Sequence, residues 1–427
     1  MSFPSYPKYK DSGVEWLGEV PEHWEVMPLK YVARFTSGGT PNKAVAEYWD
    51  GDVPWASSKD LKSETLSDTC DHITQAALDE GAAVLVPAGS VLVVVRGMIL
   101  LHTFPVVQIL VPMAINQDVK AVAPVDGVTA AYLPWLFRGS TTETFSRVDE
   151  AAHGTKVLRM ESWTSIALPI PPHPEQSAIA TFLERETAKI DALIAEQRWL
   201  IELLQEKRQA VISHAVTKGL NPDAPMKDSG IEWLGEVPEH WEIVRLRYLC
   251  DIQTGGRDTE NAVEDGLYPF FVRSETVERI NTCAANCEAV FTAGDGAGVG
   301  KVFHHYQGPF DFHQRVYMMN NFRQVTGRFL YHYLRANFYK VALEGTAKST
   351  VDSLRRPMFT GFPVAVPPLR EQGNLVAVVE SDATDFDSLV TEAARAITLL
   401  QERRSALISA AVTGQIDVRG LAGSEAA

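Results

Sequence analysis

Apolar positions recur at helical spacing along one uninterrupted stretch, Glu175 to Lys218, whose 44 residues contain neither Gly nor Pro. Ile179, Leu183, Ile190, Leu193, Leu200, Leu204 and Val211 follow at steps of three and four or their sums. Phe182, Ile194, Leu203 and Ile212 widen the stripe on one side. The pattern predicts a helix with one face for a partner. At ~1.5 Å per residue it would reach roughly 65 Å, a strut rather than core filling. Pro171, Pro172 and Pro174 precede it, where proline breaks no intrahelical bond, and Gly219 follows as the expected left-handed cap.

The strut returns 196 residues later. QEKRQAVISHAVT (Gln205 to Thr217) reappears as QERRSALISAAVT (Gln401 to Thr413), and Pro171-Pro172-His173-Pro174-Glu175-Gln176 as Pro367-Pro368-Leu369-Arg370-Glu371-Gln372. Asn374 to Thr413 again lacks Gly and Pro, and Val379, Phe386, Leu389, Leu400 and Leu407 fall on the positions of Leu183, Ile190, Leu193, Leu204 and Val211. Matched struts with matched breakers predict a pair whose apolar seams face each other as a coiled coil. The alternative is two unrelated helices, each lying on its own domain.

A second repeat leads each half. KDSGVEWLGEVPEHWE, Lys10 to Glu25, returns as KDSGIEWLGEVPEHWE, Lys227 to Glu242, identical at fifteen of sixteen positions. Here the offset is 217, and it also aligns Leu29 with Leu246, Tyr31 with Tyr248, and Ser37-Gly38-Gly39 with Thr254-Gly255-Gly256. The first copy therefore holds 21 more residues between signature and strut. Ends are shared and middles differ, which gives the chain an internal pseudo-twofold repeat. Trp16, Leu17, Val20, Pro21 and Trp24 read as a short packed arm, with Glu22 and His23 as cap and hydrogen-bond groups.

In the first middle, Leu29 to Pro169, β-rich runs (Ala83 to Val86, Val91 to Val95, Val106 to Val111) alternate with turn clusters such as Ser37 to Pro41 and Asp50-Gly51-Asp52. The fold class expected is α+β, with two mixed α/β domains joined by two long helices. Gly38 to Leu61 is dense in loop formers, aromatics and small hydroxyls, the kind of loop that presents donors on a rigid scaffold. The second middle, Leu246 to Pro363, carries TGGRD (Thr254 to Asp258), LYPFFVRSE (Leu267 to Glu275) and GDGAGVGKV (Gly294 to Val302). The last fails as a phosphate-binding P-loop: Asp295 stands where Gly is required, and Val302 follows Lys301 where Ser or Thr is needed. A tight hairpin is expected, with Lys301 beside a phosphate as the second reading. The expected boundaries are residues 1–169 and 221–366 for the mixed domains, 170–220 and 367–415 for the helical regions, and 416–427 for a small, polar, frayed tail.

Composition places the chain among soluble proteins, at 45% apolar, 22% charged and 9% aromatic. The opening MSFPSYPKYK has no apolar core of a secretory signal. Val91 to Leu101, broken by Arg96, is too short to span a bilayer and reads as a buried strand pair. A cytoplasmic protein without a membrane partner is expected. Cys70, Cys250, Cys283 and Cys287 lack zinc spacing and read as reduced thiols. A net charge of −15 weighs against a simple nucleic-acid binder. Yet Arg315, Arg323, Arg328, Arg335, Lys340, Lys348, Arg355 and Arg356 face only Glu344 and Asp352 between Arg315 and Arg356, either a basic patch or a solvated face. No GxSxG elbow, HExxH helix or paired Cys-x-x-Cys is present. The Asn/Asp-Pro-Pro-aromatic string of DNA methyltransferases is absent, Asn221-Pro222-Asp223 being nearest. Asp60-Leu61-Lys62 is half of a nuclease motif, and the sole Pro-Asp dipeptide, Pro222-Asp223, lies in the linker between repeats. An active site of unusual type is the remaining enzymatic alternative.

SGVEWLGEVPEHW and SGIEWLGEVPEHW, SGGTP…EYWDGDVPW (Ser37 to Trp55), YPFFVRS (Tyr268 to Ser274) and the two PP-x-x-EQ helix starts, in this order, resemble the specificity subunit of type I restriction-modification systems over nearly the whole chain. The resemblance implies two target-recognition domains, each reading one half of a split site in double-stranded DNA, joined by helices that pair as an antiparallel coiled coil. It implies that the helices dock two modification (methyltransferase) subunits, to which restriction (motor and nuclease) subunits bind. The chain would then be a non-catalytic adaptor that binds no cofactor, with S-adenosylmethionine, ATP and Mg on its partners. Physically, two unlike globules on matched struts make a ruler. Roughly 60 Å of helix is of the order of two turns of B-DNA at ~34 Å each.

Candidate DNA contacts in the first domain are Thr36, Ser37, Gly38, Gly39, Thr40 and Pro41, then Trp55, Ser57, Ser58 and Lys59, with Arg96, Asn116 and Gln117. In the second they are Arg257, Arg273, Ser274, Lys301, His313, Gln314 and Arg315. Arg suits guanine and Asn or Gln suits adenine in the major groove; the competing role for each is a surface or turn-forming group. The competing function is a protein-interaction scaffold built on the same duplicated architecture, which reads no DNA.

Overall fold

The computed structural model describes residues 3–151, 154–342 and 354–421. Lys348, Glu344 and Asp352 of the basic stretch lie outside them. The chain forms two compact units, Met1–Glu196 with Ala396–Ala427, and Gln197–Arg395. The unit boundaries fall inside the long helices, where the sequence reading had expected separate helical regions.

In the first unit, a five-stranded sheet is built on β1 (Ala33–Ser37), and β2 (Trp49–Ala56) belongs to a second, four-stranded sheet. β3 (Val91–Val94) and β4 (Val106–Ile109) continue the first sheet, β5 (Met113–Ile115) pairs parallel with β2, and β6 (Val119–Pro124) lies between β1 and β3. All four residues of β3 are buried, as expected for a continuous apolar run covered on both faces. Leu133, Trp135, Leu136 and Phe137 of the helix Leu133–Gly139 close over this core with the fully buried Trp163. The predicted strand pair from Val91 to Leu101 is half right. Gly97 adopts φ +139°, and Met98–Leu101 turns away as a 3-10 helix with Met98 and Leu101 exposed.

The second unit has one six-stranded sheet. Its strands include β7 (Asp251–Thr254), β8 (Tyr268–Phe271), β9 (Ala285–Ala293), β10 (Phe303–Phe312) and β11 (Val316–Asn320), in the order β7-β11-β9-β10-β8 followed by Glu278–Ile280. The Gly-rich segment is the turn of the β9–β10 hairpin, with Thr292 opposite Phe303. β10 runs unbroken along the path that the first unit divides into β4 and β5. There Leu110-Val111-Pro112 interrupts the ladder, whereas β10 passes through Pro309 without a break. Phe271 stacks on Phe291 at 4.1 Å, and Phe310 and Phe312 complete the aromatic side of the core.

α1 spans His173–Lys218 and α2 spans Leu369–Val412. Pro174 sits inside the first turn rather than before it, where a missing N–H costs no helical bond. Gly219 (φ +79°) closes α1 in the left-handed conformation, as expected, and Gly414 (φ +77°) follows α2. The PP-x-x-EQ motif has a physical role at each helix start. Glu175 accepts the indole N–H of the fully buried Trp24 at 2.9 Å, lies 2.6 Å from His23 Nε2, and accepts the Tyr6 hydroxyl at 3.2 Å. Glu371 repeats this with Trp241 at 3.1 Å and His240 at 2.8 Å. Gln176 donates to the carbonyls of Gly127 and Pro171 and accepts the Thr129 N–H; Gln372 does the same with Gln324, Pro367 and Thr326. The EHW signature is thus the lock for the helix start, and His23 is a hydrogen-bond group as read.

Within each unit the helix segments run antiparallel. In the first, Arg404 pairs with Asp191 at 2.9 Å, while Glu175 lies 3.7 Å from Arg419, beyond the end of α2. In the second, Arg208 pairs with Asp387 at 3.2 Å, and Gly219 faces Glu371. The seam is narrower than the sequence stripe. Ile179, Phe182, Leu183, Ile190 and Ile194 are buried, but Leu193, Leu200, Leu203 and Leu389 are exposed. They stand one position off the covered line, and two helices side by side cover only a thin strip. The helix ends serve the domain cores: Leu407, Ile408, Ala411 and Val412 join the first core, and Leu375, Val376 and Val379 the second. The frayed tail is also corrected as far as Leu421. The Asp417 N–H donates to the Pro4 carbonyl at 2.7 Å, Val418 is fully buried, and the Arg419 guanidinium lies over the Tyr6 ring.

Candidate functional site

Two glycines mark the same corner in each unit. A Cβ on Gly38 would lie 2.0 Å from the Ile115 carbonyl oxygen, and one on Gly255 would lie 1.9 Å from that of Phe312. Only glycine permits so close a crossing of strand ends. Around Gly38 the Gly39 N–H donates to Ile115 O and the Asn116 N–H to Ala56 O, both at 2.9 Å. Around Gly255 the His313 N–H donates to Phe271 O at 2.9 Å and the Gln314 N–H to Arg257 O at 2.7 Å. The ends of β1, β2, β3 and β5 and the start of β6 therefore form one rim. The ends of β7, β8, β9 and β10 and the start of β11 form its counterpart. Every candidate of the first set stands on the first rim, and the second set gathers on the second, with Lys301 in the hairpin turn beside it.

Their roles on the rims differ. In the first, the Trp55 indole is buried and donates to Gly39 O at 3.0 Å, while the Ser57 N–H and hydroxyl both donate to Asp60 at 2.9 Å. Asn116 is buried, its Oδ1 accepting the Asp118 N–H. Pro41 is buried too. These four are buried and build the rim. Thr36, Gly38, Gly39 and Ser58 are half-buried. Facing out are Ser37, joined to Lys120 Nζ; Thr40, joined to Gln117; Lys59, paired with Asp71 at 2.6 Å; and Arg96, whose side chain has no partner among the described residues. Lys120 escaped the sequence reading, although its place just past Asn116-Gln117 was a signal.

The second rim is organised by an acid. Asp295, 8% exposed, accepts Arg273 Nη1 at 3.0 Å and also Arg315 Nη1. Burial alone would raise the Asp295 carboxyl, but the hydrogen bonds from Arg315 and Arg273 outweigh it and hold it below the ordinary carboxylate range. His313 is 1% exposed and belongs to the frame of the rim. Its Nδ1 accepts the Arg315 N–H at 2.9 Å, which leaves the proton on Nε2. Burial, then the nearby Arg273, push its pKa down against the pull of Asp258 and Asp295. Gln314 donates to Asp258, whose carboxyl is lowered first by the Thr259 N–H it caps. Arg257 lies 3.7 Å from Asp311, the Ser274 hydroxyl donates to Thr276 O, and Lys301 is exposed. Arg273, Ser274, Asp295, Thr259 and the turn Gly296–Gly298 line a cleft of about 310 Å³. The sequence reading used Asp295 only to reject a P-loop.

The basic stretch does not make one patch. Arg323 pairs with Asp251, Arg328 with Glu380, and Arg335 donates to the Tyr331 hydroxyl, while Arg315 stands on the rim. Away from the first rim, Glu64 joins Arg138 at 3.2 Å and Arg404, in the floor of hollows of about 500 and 540 Å³. Among the described residues no group of three or more His, Cys, Asp or Glu is placed to hold a metal, and no helix is long and apolar enough to cross a membrane.

A family model described as type I restriction modification DNA specificity domain matches residues 21–202 and 238–382. The chain is 26% identical over 267 residues to the type I restriction enzyme MjaIX specificity subunit of Methanocaldococcus jannaschii, covering 60% of this chain and 58% of that protein. It is 23% identical over 432 residues to the MjaVIII specificity subunit of the same organism, covering 94% and 95%. A solved chain described under complex assembly and conformational transition of the type I R-M system superposes with a TM-score of 0.63 at 17% identity, covering 92% and 98%. At that identity the likeness concerns the fold alone.

Proposed function

Since the chain belongs to the type I restriction-modification DNA specificity family, we propose that each rim reads one half of a bipartite site in double-stranded DNA. The helices set the gap and dock two modification subunits, to which restriction subunits attach. One observation carries this reading: the same glycine-crossed backbone rim is built twice, with unlike polar side chains standing on it. A common frame with different outward groups is what two dissimilar recognition sequences require. The chain supplies no catalysis of its own. S-adenosylmethionine, ATP and Mg belong to the partners, and the DNA substrate places the assembly in the cytoplasm.

The net charge of −15 favours one competing reading, a protein-interaction scaffold that has no use for phosphates. In the proposed complex the partners supply phosphate affinity and this chain supplies base contacts. Gel-shift and methylation assays with the full chain and its modification subunits separate the two. The adaptor gives protection of a split sequence that survives competitor DNA. The scaffold gives no sequence preference at any salt concentration.

A further inference from the structure

Arg273 and Arg315 converge on one carboxylate, and the way they do so leaves a specific surface free. Asp295 has a side chain only 12% exposed, whereas those of Arg273 and Arg315 are 42% and 61% exposed. Each arginine reaches Asp295 through Nη1. No other side-chain hydrogen bond is formed by either guanidinium among the described residues, so Nε and Nη2 remain as a side-on pair of donors. That pair matches the O6 and N7 acceptors on the major-groove edge of guanine, and no other base offers two acceptors there. A buried carboxylate gripping two guanidiniums also limits their rotamers before any ligand arrives, so less freedom is lost on contact. A phosphate contact needs no such aiming. The first rim has the reverse arrangement at the matching point. There the Val95 N–H donates to Asp118 O and is followed by Arg96, where in the second the Gly294 N–H donates to Arg315 O and is followed by Asp295.

Resting on the reading that the rims face DNA, we infer that the half-site read by the second rim contains guanine, contacted by Arg315 in the major groove, with Asp295 as the positioning residue that aims it. Complexes of the full chain with its modification subunits, carrying wild type, Arg315→Lys, Arg315→Ala or Asp295→Asn, are titrated against duplexes in which each base pair of the recognised sequence is changed in turn. Arg315→Lys keeps the charge and loses the fork, so preference for G·C at one position of one half falls about 10- to 100-fold. Arg315→Ala and Asp295→Asn lose preference at that same position, and the other half keeps its full discrimination. Asp295→Asn binds an unrelated duplex at least as tightly as wild type, because it removes a negative charge, an outcome that general damage to the domain would not give. If the wild type selects two halves but these variants act at an A·T pair or weaken all duplexes equally, the guanine assignment fails while the reading of the rims stands. If the wild type itself has no preference, both fail.

Discussion

The two rims share a backbone and carry opposite charges at matching points: Arg96 and Asp118 on the first, Asp295 and Arg315 on the second. The difference teaches where each kind of constraint lies. Gly38 and Gly255, Trp55 and the buried His313 point inward and hold the crossing of strands. Arg96, Lys59, Arg273 and Arg315 are exposed. Exchanging outward groups should therefore alter recognition, and touching the inward ones should alter the domain.

The largest effect is expected at the glycines. Gly38→Val or Gly255→Val drives a side chain into a backbone carbonyl, and each should cost about 3 kcal/mol, read as lower thermal stability and lost selectivity in one half of the site. Loss of both halves from either change would erase the distinction between the units. Next come the helix starts. Glu175→Ala strands the buried Trp24 N–H and the Tyr6 hydroxyl, for about 2 kcal/mol in chemical denaturation. Glu371→Ala should cost about half as much, because the Glu371 side chain is 31% exposed against 10% for Glu175. Equal costs would show that the extra tie to Tyr6 contributes nothing.

The interhelical pairs sharpen the comparison at smaller scale. Arg404 serves Asp191 and Glu64, whereas Arg208 meets only Asp387 among the described residues, itself 65% exposed. Arg404→Ala should cost about 1 kcal/mol and Arg208→Ala under about 0.5 kcal/mol. The smallest expected effect depends on pH and belongs to the second unit. Burial depresses the pKa of His313 and of His332 below the ordinary 6.5, against the pull of Asp258 on the former and Glu380 on the latter. As pH falls through 6.5 the unfolded chain takes up these protons before the folded one, so stability drops. Melting at pH 7.5 and 5.5 should show this decline, and His332→Gln should lessen it; an unchanged decline would exonerate His332.

The helices, their caps and the duplicated signature were legible in the sequence because periodicity and chain breakers are local. The seam was overdrawn at Leu193, Leu200 and Leu203, since the period places residues on a side of the helix without saying how wide a strip a neighbour covers. Rim membership was legible from loop chemistry near the glycines. The division of labour on the rim was not. Ser57 and Asn116 bond to neighbours within three residues, but their burial against the frame depends on strand crossings between residues far apart in the chain. Asp295 was passed over for the same reason, as its two arginines come from β8 and β11 flanks that meet only in the folded sheet.

Single-molecule methylome sequencing of a host carrying this chain with its modification subunits tests the central claim most directly. Two unlike half-sequences separated by a constant gap of unspecified bases, methylated in each half, are the expected result. An uninterrupted motif, or halves whose separation varies from site to site, would contradict the proposed reading of a split site by the two rims.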